Sequence, residues 1–249
     1  MKAFTFPADF LAGPGPEVEV THVDFSKTDC IEYKNSYAVI LDHVLSPDEC
    51  AQLVTLAEQS SGGEPGEGNW ERALVNIGMN QQKLLTDIRN CDRIIWDAQE
   101  IVDRIWQRCK DHVPEIEHVK GRPEITGWGP VKRKEDYALT RLNERMRFLK
   151  YTGGEYFNIH CDGTYLTPDQ SERSFYTLHL YLNERDAEND LVGGATTFHG
   201  NSEREYNVFP KTGRVLLFQQ RSIWHSGQQV DAGVKYTMRT DVMFKRVES

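Results

Sequence analysis

From about residue 140 onward the chain is a succession of short strand-like runs separated by glycine turns, and this restricts its fold more than any other feature. The stretch 175–182 carries the pattern in its cleanest form. Phe175, Thr177, His179 and Tyr181 fall on one face, and Tyr176, Leu178, Leu180 and Leu182 on the other, the period of two that a pleated strand imposes. Further strands are expected at 145–151, 195–198, 215–219 and 235–244, with turn signals at Gly153-Gly154, Gly193-Gly194, Gly213 and Gly233. Many short antiparallel strands must share a core as a sandwich or barrel.

The first half reads differently. A strand-length apolar run at 37–41 is followed by Ser46-Pro47-Asp48-Glu49, a capping box with proline at the first helical position. Cys50, Leu53, Val54 and Ala57 then form one apolar helix face, and Ser60-Ser61-Gly62-Gly63 should end the helix. A glycine- and glutamate-rich loop around Trp70, 61–75, is expected to be mobile. A second helix starts near Asp97, places Ile101, Val102, Ile105, Trp106 and Cys109 on one side, and ends before Pro114. Residues 1–30 read as an arm that closes on the rest. The expectation is one α+β, mainly β domain over 1–249. In it, an arm and helical buttress (1–140) supports a jelly-roll core (141–249).

At 249 residues and 39% hydrophobic the chain has enough apolar material for a sizeable core. No apolar run approaches the roughly 20 residues of a membrane helix. The N-terminus is a poor signal peptide, with one lysine in its first 17 residues and no continuous apolar stretch. A net charge of −9 disfavours nucleic acid. The Lys132-Arg133-Lys134 cluster is read as a solvated loop. Five cysteines in no paired spacing argue against a disulfide framework or a zinc knuckle. The expected setting is the cytoplasm, with the nucleus left open and no membrane partner.

The chemistry concentrates at His160-Cys161-Asp162. On extended backbone, residues two apart project the same way, so His160 and Asp162 are placed to grip one ion while Cys161 points away. They would supply two ligands of a 2-His-1-carboxylate facial triad. The third must come from a distant strand, with His179, His199 and His225 as candidates. His179 lies mid-strand among apolar residues, as a core or pocket-lining histidine would, and His199 sits in a turn. His225 closes a short loop between two strands and is preferred.

His-x-Asp alone is a weak signal. Here it is followed in order by Tyr181-Leu182-Asn183, Gly193-Gly194-Ala195-Thr196, His225 and, ten residues later, Lys235. Tyr151 stands nine residues before His160. With these features, and with the opening strand and helix over 37–57, the sequence resembles the prolyl-4-hydroxylase-like branch of the 2-oxoglutarate- and iron(II)-dependent dioxygenases. The resemblance covers about 37–57 and 145–244 and is thin over 61–140. It implies a double-stranded β-helix, or cupin-like jelly roll, and an enzyme using iron(II), 2-oxoglutarate and dioxygen, with ascorbate as an optional addition. In the family, the keto acid takes two metal positions and dioxygen a third. Hydroxylation of an unactivated C–H bond then releases succinate and carbon dioxide.

The far carboxylate of 2-oxoglutarate needs a cation. Family spacing favours Lys235. Arg239, on the same strand face about 13 Å along, could bind it bidentately, and its apolar setting makes it the preferred choice. The competing readings are a solvated Lys235 after a turn and an Arg239 paired with Asp241. Tyr151, and secondarily Tyr181, are candidate hydroxyl partners of that carboxylate. The family often has tyrosine three residues before the first ligand, where this chain has Phe157. Arg89 or Arg93 could meet a substrate carboxylate or peptide carbonyl, although a surface loop with local ion pairs is the preferred reading of 86–93. The substrate is expected to be a peptidyl proline or a small molecule. The alternatives are a non-catalytic jelly-roll binding module that retains the metal pocket and, more remotely, a nucleic-acid demethylase.

Overall fold

Residues 38–41 and 215–218 are apolar at every position because their strands are covered on both faces. Val39, Leu41, Val215 and Leu217 enter one buried cluster, while Ala38, Ile40, Leu216 and Phe218 enter another. The structure, a computed structural model, describes residues 4–78, 81–186 and 189–247. Its first half contains β1 (Glu19–His22), β2 (Ala38–Asp42), α1 (Pro47–Ser60), β3 (Glu71–Arg72), β4 (Val75–Gly78), β5 (Gln81–Lys83), β6 (Arg89–Asn90), β7 (Asp92–Asp97) and α2 (Gln99–Cys109). Next come β8 (His118–Lys120), α3 (Pro123–Thr126), α4 (Trp128–Lys132), β9 (Asp136–Leu142), β10 (Arg145–Tyr151), β11 (Glu155–His160) and β12 (Glu172–Tyr181). The chain finishes with β13 (Val192–Gly193), β14 (Thr196–His199), β15 (Glu205–Val208), β16 (Val215–Gln219), β17 (His225–Ala232) and β18 (Lys235–Arg246).

The strands form a ten-stranded sheet, β1-β2-β16-β12-β18-β10-β7-β3 with β9 and β8 branching from β18, and a six-stranded sheet, β15-β14-β17-β11-β6 with β13 beside β17. All these pairs are antiparallel. The sheets face each other as a jelly roll. Tyr181, Leu216 and Phe218 of the larger pack with Phe198 and Val208 of the smaller on one side, and Leu149 and Tyr151 pack with Val230 on the other. Helices α1 and α2 cover the outer face of the larger sheet, where Leu53, Ala57, Ile101 and Ile105 join Phe148, Leu178, Leu180 and Met238. The first 140 residues also supply β1, β2, β3, β7 and β8 to that sheet and β6 to the smaller one.

The capping box forms as the spacing predicts. Ser46 Oγ accepts from the Glu49 amide at 3.2 Å, and a Glu49 carboxylate oxygen accepts from the Ser46 amide at 2.8 Å. The arm closes on the domain: β1 pairs with β2, Phe10 and Leu11 are buried, and Arg104 donates to the Ala8 and Phe10 carbonyls. The 61–75 segment is tethered, contrary to its expected mobility. Glu58, buried on α1, accepts from the Gly66 amide at 2.6 Å and from Trp70 Nε1 at 3.0 Å, and the indole packs against the core. A second difference lies in β12. Phe175 joins the outer cluster with Tyr176, Leu178 and Leu180 because a bulge between Ser174 and Tyr176 interrupts the register with β18. One extra residue flips the side-chain parity. All five cysteines are free, and Lys132, Arg133 and Lys134 are exposed. Among the described residues no helix is long and apolar enough to cross a membrane.

Candidate metal centre and the pocket around it

Strands β11 and β17 pair so that His160 and His225 lie directly opposite one another, with ring centroids 4.3 Å apart. Asp162, two residues past the end of β11, completes the group. One ligand atom from each of the three side chains lies within 4.8 Å of the others. His160 Nε2 is 3.7 Å from Asp162 Oδ1, and His225 Nε2 is 3.8 Å from Asp162 Oδ2. Each imidazole turns Nδ1 to a backbone carbonyl, Asn158 O at 2.8 Å and Ile223 O at 3.3 Å. With Nδ1–H donating there, the Nε2 lone pairs face inward, the arrangement a ligating histidine needs. Two imidazole nitrogens and one carboxylate oxygen suit a non-haem iron(II) site with open positions.

The electrostatics agree with that use. Burial pushes the His225 pKa down to about 4, outweighing the pull of Asp162, so the ring is neutral at pH 7. Burial pushes the Asp162 carboxyl up, but Arg239, His225 and His160 together hold it well below the usual carboxylate range. Thr177 Oγ1 also donates to Asp162 Oδ2 at 2.6 Å and orients the carboxylate.

The surrounding pocket lies between the sheets and is lined by Leu149, Tyr151, Phe218, Lys235 and Arg239, among others. Lys235, at the start of β18, is paired in register with Tyr151 and only 2% exposed. Its ammonium donates to the Gly194 carbonyl at 2.5 Å and sits 5.2 and 5.6 Å from the Tyr151 and Tyr181 ring centroids. No carboxylate pairs with it among the described residues, and burial pushes its pKa down to about 7. Burial also drives the Tyr151 phenol well above its usual range.

Arg239 has other obligations. Its Nη2 lies 3.0 Å from Asp162 Oδ1, 3.5 Å from Asp241 Oδ1 and 3.4 Å from Thr177 Oγ1. The ion pair with Asp241, weighed in the sequence as its competing role, is present. Of the apolar neighbours that made Arg239 the preferred cation, Met238, Val242 and Phe244 pack into the outer cluster, away from the pocket. Tyr181 donates its hydroxyl to Thr196 Oγ1 at 2.6 Å, so that group is already engaged within the sandwich.

Three further side chains face this pocket: Arg89 and His179, both weighed in the sequence, and Thr177, to which the sequence assigned no role. Arg89 is 8% exposed, which corrects the preferred surface-loop reading of 86–93 at this position. Its guanidinium lies 4.6 Å from the Phe157 ring centroid, and Phe157 stacks on His160 at 3.7 Å. Strand β6 is two residues long, too short for any periodicity to reveal. His179 lines the pocket as anticipated, but its Nε2 is buried with no hydrogen-bond partner. Burial and the nearby Lys235 and Arg239 keep its ring neutral. Thr177 carried the one available signal, a polar residue on the inward face of β12. His199 lies outside the group, with its Nε2 2.7 Å from Ser226 Oγ.

Residues 146–240 match the family model described as the 2OG-Fe(II) oxygenase superfamily. No curated protein matches the chain. Among solved structures it is similar to a Pseudomonas putida prolyl-4-hydroxylase (14% identity, 90% of this chain and 96% of that one, TM-score 0.52). It is also similar to a Trichoplax adhaerens prolyl hydroxylase in complex with a hypoxia inducible factor peptide fragment (17% identity, 88% of each chain, TM-score 0.53). A third is a viral collagen prolyl hydroxylase from Paramecium Bursaria Chlorella virus-1 in complex with 2OG (17% identity, 84% and 96%, TM-score 0.51). At these identities the likeness is one of fold.

Proposed function

We propose that this chain, a 2OG-Fe(II) oxygenase by its domain and prolyl-4-hydroxylase-like in its fold, hydroxylates an unactivated C–H bond of a peptidyl proline or a small molecule. One observation carries the reading: the converging His160, Asp162 and His225 share a pocket with a buried lysine that has no carboxylate partner among the described residues. Two inward-facing imidazole nitrogens with an ionised carboxylate fit iron(II), and a buried lysine with no carboxylate partner among the described residues fits the far carboxylate of a keto acid.

When bound, iron(II), 2-oxoglutarate and dioxygen supply the oxidising power, with succinate and carbon dioxide as coproducts. The chain supplies positions, charges and a dry site. His160 and His225 would hold the metal through Nε2, and Asp162 through a carboxylate oxygen. Arg239 helps keep Asp162 ionised, and the Thr177 hydroxyl fixes its direction. Phe157 packs against His160 and Phe218 against His225, at 3.7 and 4.8 Å between centroids, and these rings brace the imidazoles. We assign the far carboxylate of 2-oxoglutarate to Lys235, with the Tyr151 hydroxyl beside it, because Arg239 is already engaged by Asp162 and Asp241. The peptide fragment in the similar Trichoplax structure supports a peptide target, and the five free cysteines support a reducing compartment.

The test is an anaerobic titration of iron(II) and 2-oxoglutarate into apo-protein, followed in the visible. A weak charge-transfer band requiring both additions, and lost in His225→Ala, is the expected result. A folded protein that binds the metal but gives no band with the keto acid would overturn the reading in favour of a binding module.

A further inference from the structure

Arginines from both sheets gather about the metal pocket: Arg89 and Arg239 line it, and Arg93 and Arg147 lie near them on the larger sheet. On β10, Leu149 lines the pocket and Arg147 lies two residues away on the same strand face. Arg93 of β7 is the register partner of Leu149, and Arg239 of β18 is the register partner of Arg147. Partners across a ladder share a face, so Arg93, Arg147 and Arg239 all project from the inner side of the larger sheet. Arg89 lines the same pocket from the smaller sheet.

Like charges directly opposite in a sheet repel, and the arrangement needs a compensating anion. For Arg147 and Arg239 the chain supplies it. Asp241 lies 3.1 Å from Arg147 Nη1 and 3.5 Å from Arg239 Nη2, and Asp162 lies 3.0 Å from the same Arg239 nitrogen. Among the described residues Arg89 and Arg93 receive no ion-pair partner, although Asp162 acts on Arg89 through its field. Arg89 has the Phe157 ring and the Cys91 thiol beside it, and its buried Nε makes no hydrogen bond. The Arg93 side chain makes no hydrogen bond or ion pair among the described residues, and Glu71 is its acidic neighbour across the ladder. Burial and the fields of Arg89 and Arg147 all work against its charge. In a protein of net charge −9, this corner therefore holds a positive surplus. A concave, partly desolvated site of one sign focuses its field on ligands of the other.

We propose that Arg89 and Arg93, backed by Arg147, read a carboxylate on the substrate and hold it beside the metal. The inference rests on the oxygenase reading above and narrows its substrate class to molecules carrying an anionic group near the C–H bond to be oxidised. That carboxylate belongs either to a free small acid or to an acidic residue next to the target in a peptide.

Acid and amide probe pairs that differ only in charge test this. N-acetyl-L-proline against N-acetyl-L-prolinamide represents the small acid, and N-acetyl-Asp-Pro-amide against N-acetyl-Asn-Pro-amide represents the peptide. Each is titrated into the anaerobic iron(II)·2-oxoglutarate protein, and its dissociation constant is read from the shift of the charge-transfer band. The expected result is an acid preferred at least tenfold over its amide in one of the two pairs, which identifies the source. The preference should fall below threefold in Arg93→Gln and in Arg89→Gln, both of which still form the band. A band present in the wild type that responds equally to acids and amides, or to neither, would overturn the inference while leaving the oxygenase reading intact. So would a preference unchanged in both variants. Absence of the band in the wild type overturns the oxygenase reading itself, and this inference with it.

Discussion

Replacing Lys235 by Met should make the metal-free protein more stable and at the same time ruin its affinity for 2-oxoglutarate. Lys235 is 2% exposed, and burial lowers its pKa from 10.5 to about 7. At about 1.4 kcal/mol per pKa unit, retaining the lysine costs the folded state roughly 4 kcal/mol at pH 7. Methionine fills a similar volume without charge. It also strands the Gly194 carbonyl, now hydrogen-bonded to Nζ at 2.5 Å, at a cost of about 1–3 kcal/mol. The net gain of about 1–3 kcal/mol should raise the melting temperature by several degrees in a domain of this size. Between pH 7 and 10.5 the unfolded chain holds a proton that folded Lys235 has released. Wild-type stability should therefore rise with pH across that window and be flat below it, and the variant should lose the slope. Removing one partner of a desolvated charge pair costs about 2–5 kcal/mol, so the dissociation constant for 2-oxoglutarate should rise at least about thirtyfold. Thermal unfolding of the apo-protein at pH 7 and 9, with anaerobic calorimetry of 2-oxoglutarate, measures both effects. A variant less stable than wild type at pH 7 that still binds 2-oxoglutarate within threefold would refute the reasoning. Lys235 would then be a structural tie to Gly194, and the cosubstrate's cation would have to be sought elsewhere.

Other consequences are as direct. Thr177→Val keeps the side-chain shape but removes the donor at 2.6 Å from Asp162, and iron(II) affinity measured by chelator competition should fall about tenfold with the fold unchanged. An unchanged affinity would mean that Arg239 alone orients the carboxylate. Replacing His160 or Asp162 by Ala should abolish iron-dependent succinate formation while leaving the circular dichroism spectrum intact, and full activity in either variant would sink the ligand assignment. Glu58→Ala removes the acceptor shared by Gly66 and Trp70. It should cost about 1–3 kcal/mol and expose 61–75 to limited proteolysis, and a cleavage rate equal to wild type would show that Trp70 packing suffices as the tether.

Local interactions made much of this protein legible in its sequence. The capping box at Ser46 and Glu49 joins neighbours three residues apart, and the core strands announce themselves as short apolar runs between turn signals or, at 175–182, by a period of two. His160-x-Asp162, with a distant His225 after an apolar strand, could be assembled into one candidate group before any coordinates, and the fold brings those three side chains together. Three features were decided only in three dimensions. The bulge at Ser174–Tyr176 moved Phe175 to the other face of β12, because one unpaired residue reverses the parity that a sequence pattern assumes. The two-residue β6 carried Arg89 out of an apparent surface loop and into the pocket. The partition of charges between Lys235 and Arg239 depended on Asp162 and Asp241, one brought from another strand segment and one from the same face of β18. Periodicity and capping are set by residues a few positions apart, so one segment of chain is enough to specify them. Which ion pairs with which depends on groups as distant in sequence as Asp162 and Arg239, and only the assembled sheets fix that.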